Sequence, residues 1–363
     1  MMATRTAQHV EAATEDTPPR VSVLIVNFNG AAVLDQCLAS LARVSEPSHE
    51  VVVVDNGSSD NSLDVVARYP DVRIVRSPCN LGFAGGNNLG LPHCRGRFIL
   101  LLNNDTTVPE GVLTTLADYL DAHPQVGVVQ AKMILPRYGS SLDVCGSFLT
   151  WCGLPYHYGY FKKDCEKYRS SYPVFSGKGA CLMFRREIVE RAGGFLFDPD
   201  FFCYYEETDF CHRVWLAGYE VHFVPTQPVQ HFMGATAGSP HGAFALTFYL
   251  RNMAFSLLSN LSLGGLFRIA PCFFAVLVVG LIVSAVALRK PAVLAHAGAL
   301  LCPLRCMSRI RQRRKLVKQI RRRSDRQIFA TVLRNPRPSY YLRTFTATLA
   351  GYEDAPLALP PTV

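Results

Sequence analysis

Four short apolar runs, Val21–Val26, Val51–Val54, Val72–Val75 and Phe98–Leu102, recur in the first third of the chain, and three of them stop at an asparagine or aspartate. Their length and β-branched content predict strands. Between and after them apolar residues fall at helical spacing: Leu34, Leu38 and Leu41, then Leu113, Leu116 and Leu120 behind Pro109, ending at His123-Pro124. Strands that are apolar on both faces and alternate with helices predict an α/β doubly wound, mostly parallel sheet with helices on both faces. In such sheets a ligand sits at the carboxyl ends of the strands. Here those ends carry Asn27 and Asn29, Asp55, and Asn103-Asn104-Asp105.

The 363 residues allow two or three units, and 49% hydrophobic against 18% charged residues excludes a disordered chain. The net charge of +9 is local. Residues 305–326 hold eleven basic side chains against one acid, Asp325, and the remainder is nearly neutral, so a nucleic-acid-coating surface is excluded and no nucleic acid is expected as partner. Twelve cysteines are scattered without a C-x-x-C pair, which predicts reduced cytosolic thiols. Residues 1–20 lack an apolar core, so a disordered tail rather than a signal peptide is expected there.

The sequence divides into that tail, an α/β domain over 21–243 with a loop-rich half from 131 onward, apolar helices over 244–304, and a basic segment with a C-terminal tail over 305–363. Ile269–Leu288 is free of charge and reaches about 30 Å as a helix, enough to cross a bilayer core. A crossing would put the basic cluster opposite a cytoplasmic domain, against the positive-inside tendency. A hairpin with Ala292–Leu304, returning the cations to the cytoplasmic leaflet, is therefore expected; a buried core helix is the other reading. Residues beyond about 264 are expected to be separable from catalysis.

Three polar groups can carry chemistry. Asp55 opens Asn56-Gly57-Ser58-Ser59-Asp60, which suits a nucleotide contact or a plain turn capped by Ser59 or Asp60. Asn80–Asn88 is glycine-rich and predicts a loop open to close ligand approach, without a dinucleotide or P-loop pattern. Asp105 stands at a strand's mouth as a cation ligand or a turn former. Tyr204-Tyr205-Glu206-Glu207-Thr208-Asp209 packs three acids among aromatics, as acid–base groups or as an acidic helix start with an Asp209–Arg213 pair.

Read in order, VSVLIVNFNG, VVVVDNGSSDNS, NLGFAGGNN, LLNNDTTV, SGKGACLMFRRE, FFCYYEETDFCHR and HFMGATAG resemble the inverting glycosyltransferase family 2, of GT-A fold, and within it rhamnosyltransferase-like enzymes of cell-surface polysaccharide assembly. The resemblance spans about residues 21–255. It implies that Asn27 and Asp55 hold the nucleotide, with Asn104 also on the donor side and Gly82 and Asn88 beside the pyrophosphate. Asp105 corresponds to the last acid of a D-x-D-like metal site whose first acid is here Asn103, and His231 to a further metal or diphosphate contact. A divalent cofactor, Mg²⁺ or Mn²⁺, is implied. Glu207 takes the place of the catalytic acid, with Glu206 and Asp209 as alternatives. Leu196 and Phe197 interrupt the usual step from Gly-Gly-Phe to Asp198 and are expected to reshape the acceptor pocket.

The activity implied is sugar transfer from a dTDP- or UDP-sugar to a hydroxyl of a glycan or lipid-linked acceptor, at the cytoplasmic face of the membrane, with membrane lipids as a further partner. Two other readings compete: a catalytically inactive membrane-surface protein with a GT-A-like domain, motivated by Asn103, and a sugar nucleotidyltransferase, which lacks the basic glycine-rich N-terminal loop expected for that work.

Overall fold

A computed structural model describes residues 18–45, 47–233, 242–341 and 352–357; the tail expected over 1–20 lies almost wholly outside them, as does Gly234 of the HFMG motif. The four N-terminal runs form strands β1 (Val21–Asn27), β2 (His49–Asp55), β3 (Val72–Arg76) and β4 (Phe98–Asn103), parallel in the order β3-β2-β1-β4. Alternation along β1 divides its side chains: Val21, Val23 and Ile25 enter one core and Leu24 the other. Helices α1 (Ala31–Leu41), α2 (Ser62–Val66) and α4 (Val112–Ala122) cover the first face.

Helix α3 covers the second, and it is the glycine-rich segment: Gly82–Gly90 is helical where the sequence suggests a loop. Glycine costs a helix about 1 kcal/mol per residue relative to alanine. Its use here is proximity, because a Cβ on Gly86 would collide with Val26, and one on Gly90 with Leu24 and Val54. The segment is thin so that it can lie flat on β1 and β2.

Beyond β4 the sheet turns mixed rather than staying parallel. Strand β6 (Cys181–Arg185) runs antiparallel between β4 and β5 (Val126–Leu135), and β7 (Glu220–His231) returns parallel to β5. Helix α5 (Glu206–Leu216) packs beneath this half and is almost wholly buried.

The C-terminal third is part of the same body, which revises the expected separation at 264. Helix α6 (Ala243–Asn260) lies against α5, followed by α7 (Leu263–Val286), α8 (Lys290–Leu300), α9 (Met307–Ile320) and α10 (Asp325–Val332). Five arginines of the basic stretch bind protein rather than lipid. Arg314 reaches the carbonyls of Leu258 and Leu261, and Arg321 that of Asn260, which caps the carboxyl end of α6. Arg323 pairs with Glu220, and Arg309 with Asp198 and Asp200. Arg313 is buried between Asp198 and Asp209. Further on, residues 352–357 return to the body: Asp354 accepts hydrogen bonds from Tyr156 (2.6 Å), Tyr168 (2.9 Å) and the amide of Gly159 (2.8 Å).

Leu196 and Phe197 are likewise core residues, 1% and 0% exposed, and do not line an acceptor pocket. The Asn88 amide clamps Phe197 through both its backbone N–H and C=O, and Arg213 binds the Leu196 carbonyl.

Removing one partner of a buried ion pair strands the other, at about 3–5 kcal/mol. Arg313→Met is therefore expected to lower unfolding free energy in urea by about that amount, and Arg311→Met, exposed on the same helix, by less than about 0.5 kcal/mol. Equal effects from both variants would contradict the tie described here.

Candidate active site

At the carboxyl end of β1, Asn27 is fully buried and stands opposite Asp55 of β2. Its amide accepts from Asn104 Nδ2 (2.7 Å) and donates to Ser58 Oγ (3.3 Å). The turn after β2 is braced on the turn after β1: the Asn29 amide donates to Ser58 Oγ (3.0 Å), the Ser59 amide to Asn29 Oδ1 (2.8 Å), and Asp60 accepts from the amides of Ala31 and Ser62. Asp60 is thus a turn residue. Asp55 accepts only a long bond, 3.4 Å, from the Ser58 amide, which leaves it free for a ligand.

Asn56 joins this turn to α3, donating to Asn80 and the Gly82 carbonyl and accepting from the Leu81 amide. Gly82 opens α3 in the left-handed region, φ +72°, with the Phe202 carbonyl pressed against its Cα. No side chain fits there. Asn88, expected at a pyrophosphate, is instead occupied by Phe197.

From Asn104 the polar groups continue. Asp105 is 5% exposed, and its Oδ1 lacks a hydrogen-bond partner although His231 Nε2 lies 3.4 Å away. Pairing of Thr106 with His231 brings the end of β7 to this point. His231 Nδ1 meets Asp143 at 2.7 Å, and Asp143, fully buried, receives Lys178 Nζ on both oxygens at 2.7 Å. Lys178 and the Gly179 amide both stabilise the Glu207 carboxylate at the start of α5. Contacts run from the Asp55 turn through Asn27 to Asn104, and from His231, 3.4 Å from Asp105, through Asp143 to Lys178, whose charge favours the ionised form of Glu207.

Sequence reasoning singled out neither Asp143 nor Lys178. Lys178 stood inside the quoted SGKGACLMFRRE motif, a lone cation between two glycines; Asp143 offered no signal.

Residues 22–193 match the model of glycosyl transferase family 2. The chain carries a glycosyl transferase family 2 domain. It is 27% identical over 242 residues to the N-acetylglucosaminyl-diphospho-decaprenol L-rhamnosyltransferase of Mycobacterium tuberculosis H37Rv, covering 60% of this chain and 77% of that protein. It is also 27% identical over 201 residues to the low-salt glycan biosynthesis hexosyltransferase Agl10 of Haloferax volcanii, covering 53% and 61%. Among solved structures, GalNAc-T7 with UDP, GalNAc and Mn²⁺ shares the fold at a TM-score of 0.53 and 16% identity over 68% of this chain; the match spans about half, 48%, of that chain.

Just beyond the matched segment, the three candidate acids differ sharply. Asp209 is taken up by Arg213 (3.0 Å), Arg313 (3.2 Å), Ser256 and Asn260, and its pKa is driven down because these partners outweigh the burial. A carboxylate so engaged cannot accept a proton in turnover, which removes it from the catalytic candidates. Glu206 and Glu207 each keep an oxygen, Oε2, without a partner. Burial pushes both pKa values up, and the neighbouring Glu207 charge pushes Glu206 well above the carboxylate range. In Glu207 the rise is opposed by backbone amides and Lys178. Glu206 is thus raised further than the partly exposed Glu207.

Two consecutive left-handed residues, Tyr204 (φ 66°) and Tyr205 (φ 73°), aim the pair. Such backbone costs about 1–3 kcal/mol per residue and persists only when held. Asn252 of α6, fully buried, holds it by donating to the carbonyls of Cys203 (3.0 Å) and Tyr204 (2.8 Å). Helix α6, grouped by sequence with the membrane segment, thus builds the site.

For a metal, the described residues offer no cluster of three His, Cys, Asp or Glu side chains. They do offer Asp105 Oδ1, buried without a hydrogen-bond partner, and His231 Nε2, 3.4 Å from that oxygen and 3.5 Å from Asn103 Nδ2, with Nδ1 tied to Asp143. Two protein ligands with an oriented histidine fit a divalent ion completed by a ligand's phosphates and water.

In the native protein the Glu207 carboxyl, followed by carbon-detected NMR, should titrate above the free-glutamate value of about 4.3. Lys178→Met removes a cation that favours the charged form and should move the midpoint higher still; a fall would contradict the placement of Lys178 beside Glu207.

Proposed function

We propose that this chain transfers a sugar from a nucleotide-sugar to a hydroxyl of a glycan or lipid-linked acceptor, with inversion, at the cytoplasmic face of a membrane. The observation that carries the reading is a pair of buried carboxylate oxygens without a hydrogen-bond partner, Glu207 Oε2 and Asp105 Oδ1, with burial raising the pKa of Glu207. A base at Glu207 and an acidic ligand site at Asp105 suit a single displacement. The M. tuberculosis relative, whose name specifies L-rhamnosyl transfer onto a decaprenol-linked acceptor, favours a deoxysugar donor such as dTDP-rhamnose, with a UDP-sugar as the alternative.

In this mechanism Asp55 and Asn27 seat the nucleotide, and Asn104 fixes Asn27 for that contact. Glu207 accepts the proton of the acceptor hydroxyl as that oxygen attacks the anomeric carbon from the side opposite the nucleotide. Its raised pKa makes it a better base than a surface glutamate. The Lys178 charge opposes that rise. Burial and the Glu207 charge push the Glu206 pKa well up, which favours its neutral form beside the base. Asp105 and His231 would hold Mg²⁺ or Mn²⁺, which when bound neutralises charge on the leaving diphosphate. The Mn²⁺ and UDP in the GalNAc-T7 structure are compatible with this assignment.

Glu207→Gln should lower transfer by about 10²–10⁴-fold, the range for a general base, while donor binding by calorimetry stays nearly unchanged. Near-normal turnover would move the role to another group. Asp105→Asn should instead raise the metal concentration needed for half-maximal transfer, measured by release of nucleoside diphosphate across a panel of donors.

A further inference from the structure

Exposed apolar surface is concentrated in one region. Of the sixteen large hydrophobic side chains exposed among the described residues, twelve fall between Leu263 and Met307. On α7 they share a face: Val279, Ile282, Val283 and Val286 recur at helical spacing and are 56–80% exposed, with Phe267 one end further at 83%. The opposite stripe, Ile269, Phe273, Leu277, Gly280 and Ser284, is buried. Across 24 residues this face extends about 36 Å.

By length α7 could cross a bilayer. Its attachments prevent that. At its start the Ser262 amide donates to Asp325 Oδ2 (2.8 Å), and the Arg268 guanidinium lies 3.8 Å from the ring centre of Trp151, so the helix sets out against the catalytic body. After Leu288 the chain turns back, and α8 packs against both α7 and α6, with His296 seated where Gly280 leaves room. It then passes into α9, where Arg309 and Arg313 pair with Asp198. Departure and return are fixed to one body. A crossing chain would need about 20 residues to come back, and α8 has 11.

We propose that α7 and α8 form a single-leaflet docking surface that lies in the plane of an anionic lipid bilayer, with its apolar face among the acyl chains and no segment crossing. This deepens the membrane placement proposed above and is independent of the catalytic reading. Charge complementarity selects the occupant. Arg268 and the exposed pair Arg289-Lys290 bracket the apolar face at its two ends, and exposed Arg305 adjoins exposed Leu301 and Leu304. Acyl chains match the face and lipid phosphates match its cationic ends.

The full chain, added to preformed vesicles of phosphatidylglycerol and phosphatidylethanolamine, should float with them. Two exposed cysteines then report orientation through a membrane-impermeant maleimide, read peptide by peptide: Cys272 on α7 becomes protected, and Cys79 on the catalytic body continues to react. In the Lys290→Cys variant the new thiol at the hairpin turn should react before detergent is added. Labelling of that thiol only after lysis would mean that α7 crosses, and would overturn the proposal. Absence of flotation, or dimerisation that protects Cys272 without vesicles, would overturn it in favour of a protein covering this face. Val279→Glu with Val283→Glu should reduce vesicle binding at least tenfold and leave donor binding intact; loss of donor binding in the unaltered chain would instead count against the catalytic reading alone.

Discussion

A single buried carboxylate, Asp209, governs how helix α5 is held. Two guanidiniums, a serine and an asparagine converge on it from three helices, and both guanidiniums also lie against the ring of Phe195. Taking these charges out of water costs several kcal/mol per ion before any attraction is counted, so the arrangement is stable only when complete. The requirement explains why a basic helix more than a hundred residues downstream is folded into the enzyme body. With Asp209 fixed, α5 is fixed, and the two glutamates at its start acquire a defined position.

From that position the site divides its acids by environment. Asp209 is surrounded by cations that lower its pKa, Glu206 is enclosed without a partner and raised well above the carboxylate range, and Glu207 is raised against the opposing effect of backbone amides and Lys178. Three acids within four residues thereby meet three different environments. The same logic applies around Asp105, where Asn103 stands in place of an acid: Asp143, in contact with His231, returns a carboxylate to the neighbourhood from elsewhere in the sequence.

Local features were legible in the sequence and distant pairings were not. The strand ends bearing Asn27, Asp55 and Asp105 follow from two-sided apolar runs that terminate in polar residues, a property of a few adjacent positions. The α3 glycines misled because they read as loop residues, whereas their use depends on Val26, Leu24 and Val54 of other strands. Asp209 could be paired with Arg213 at helical spacing, but Arg313 lies 104 positions away. Asp143 and Lys178, 35 positions apart, become neighbours only once β5 and β6 are laid side by side. The cationic segment read as a lipid contact because composition cannot show that Arg313 and Arg314 point into protein.

The left-handed pair Tyr204-Tyr205, steadied by Asn252, also bears on how such enzymes can be recombined. The family match ends at residue 193, which makes that boundary an inviting crossover for chimaeras between paralogues. A splice there would mate one parent's tyrosine turn with its own bracing amide, yet leave the Phe195 and Asp198 loop facing an unfamiliar strand layer. A graft made after Asp209 would separate the turn from its brace altogether. Modules exchanged among these proteins must therefore carry the acid pair and the C-terminal helices as one heritable block.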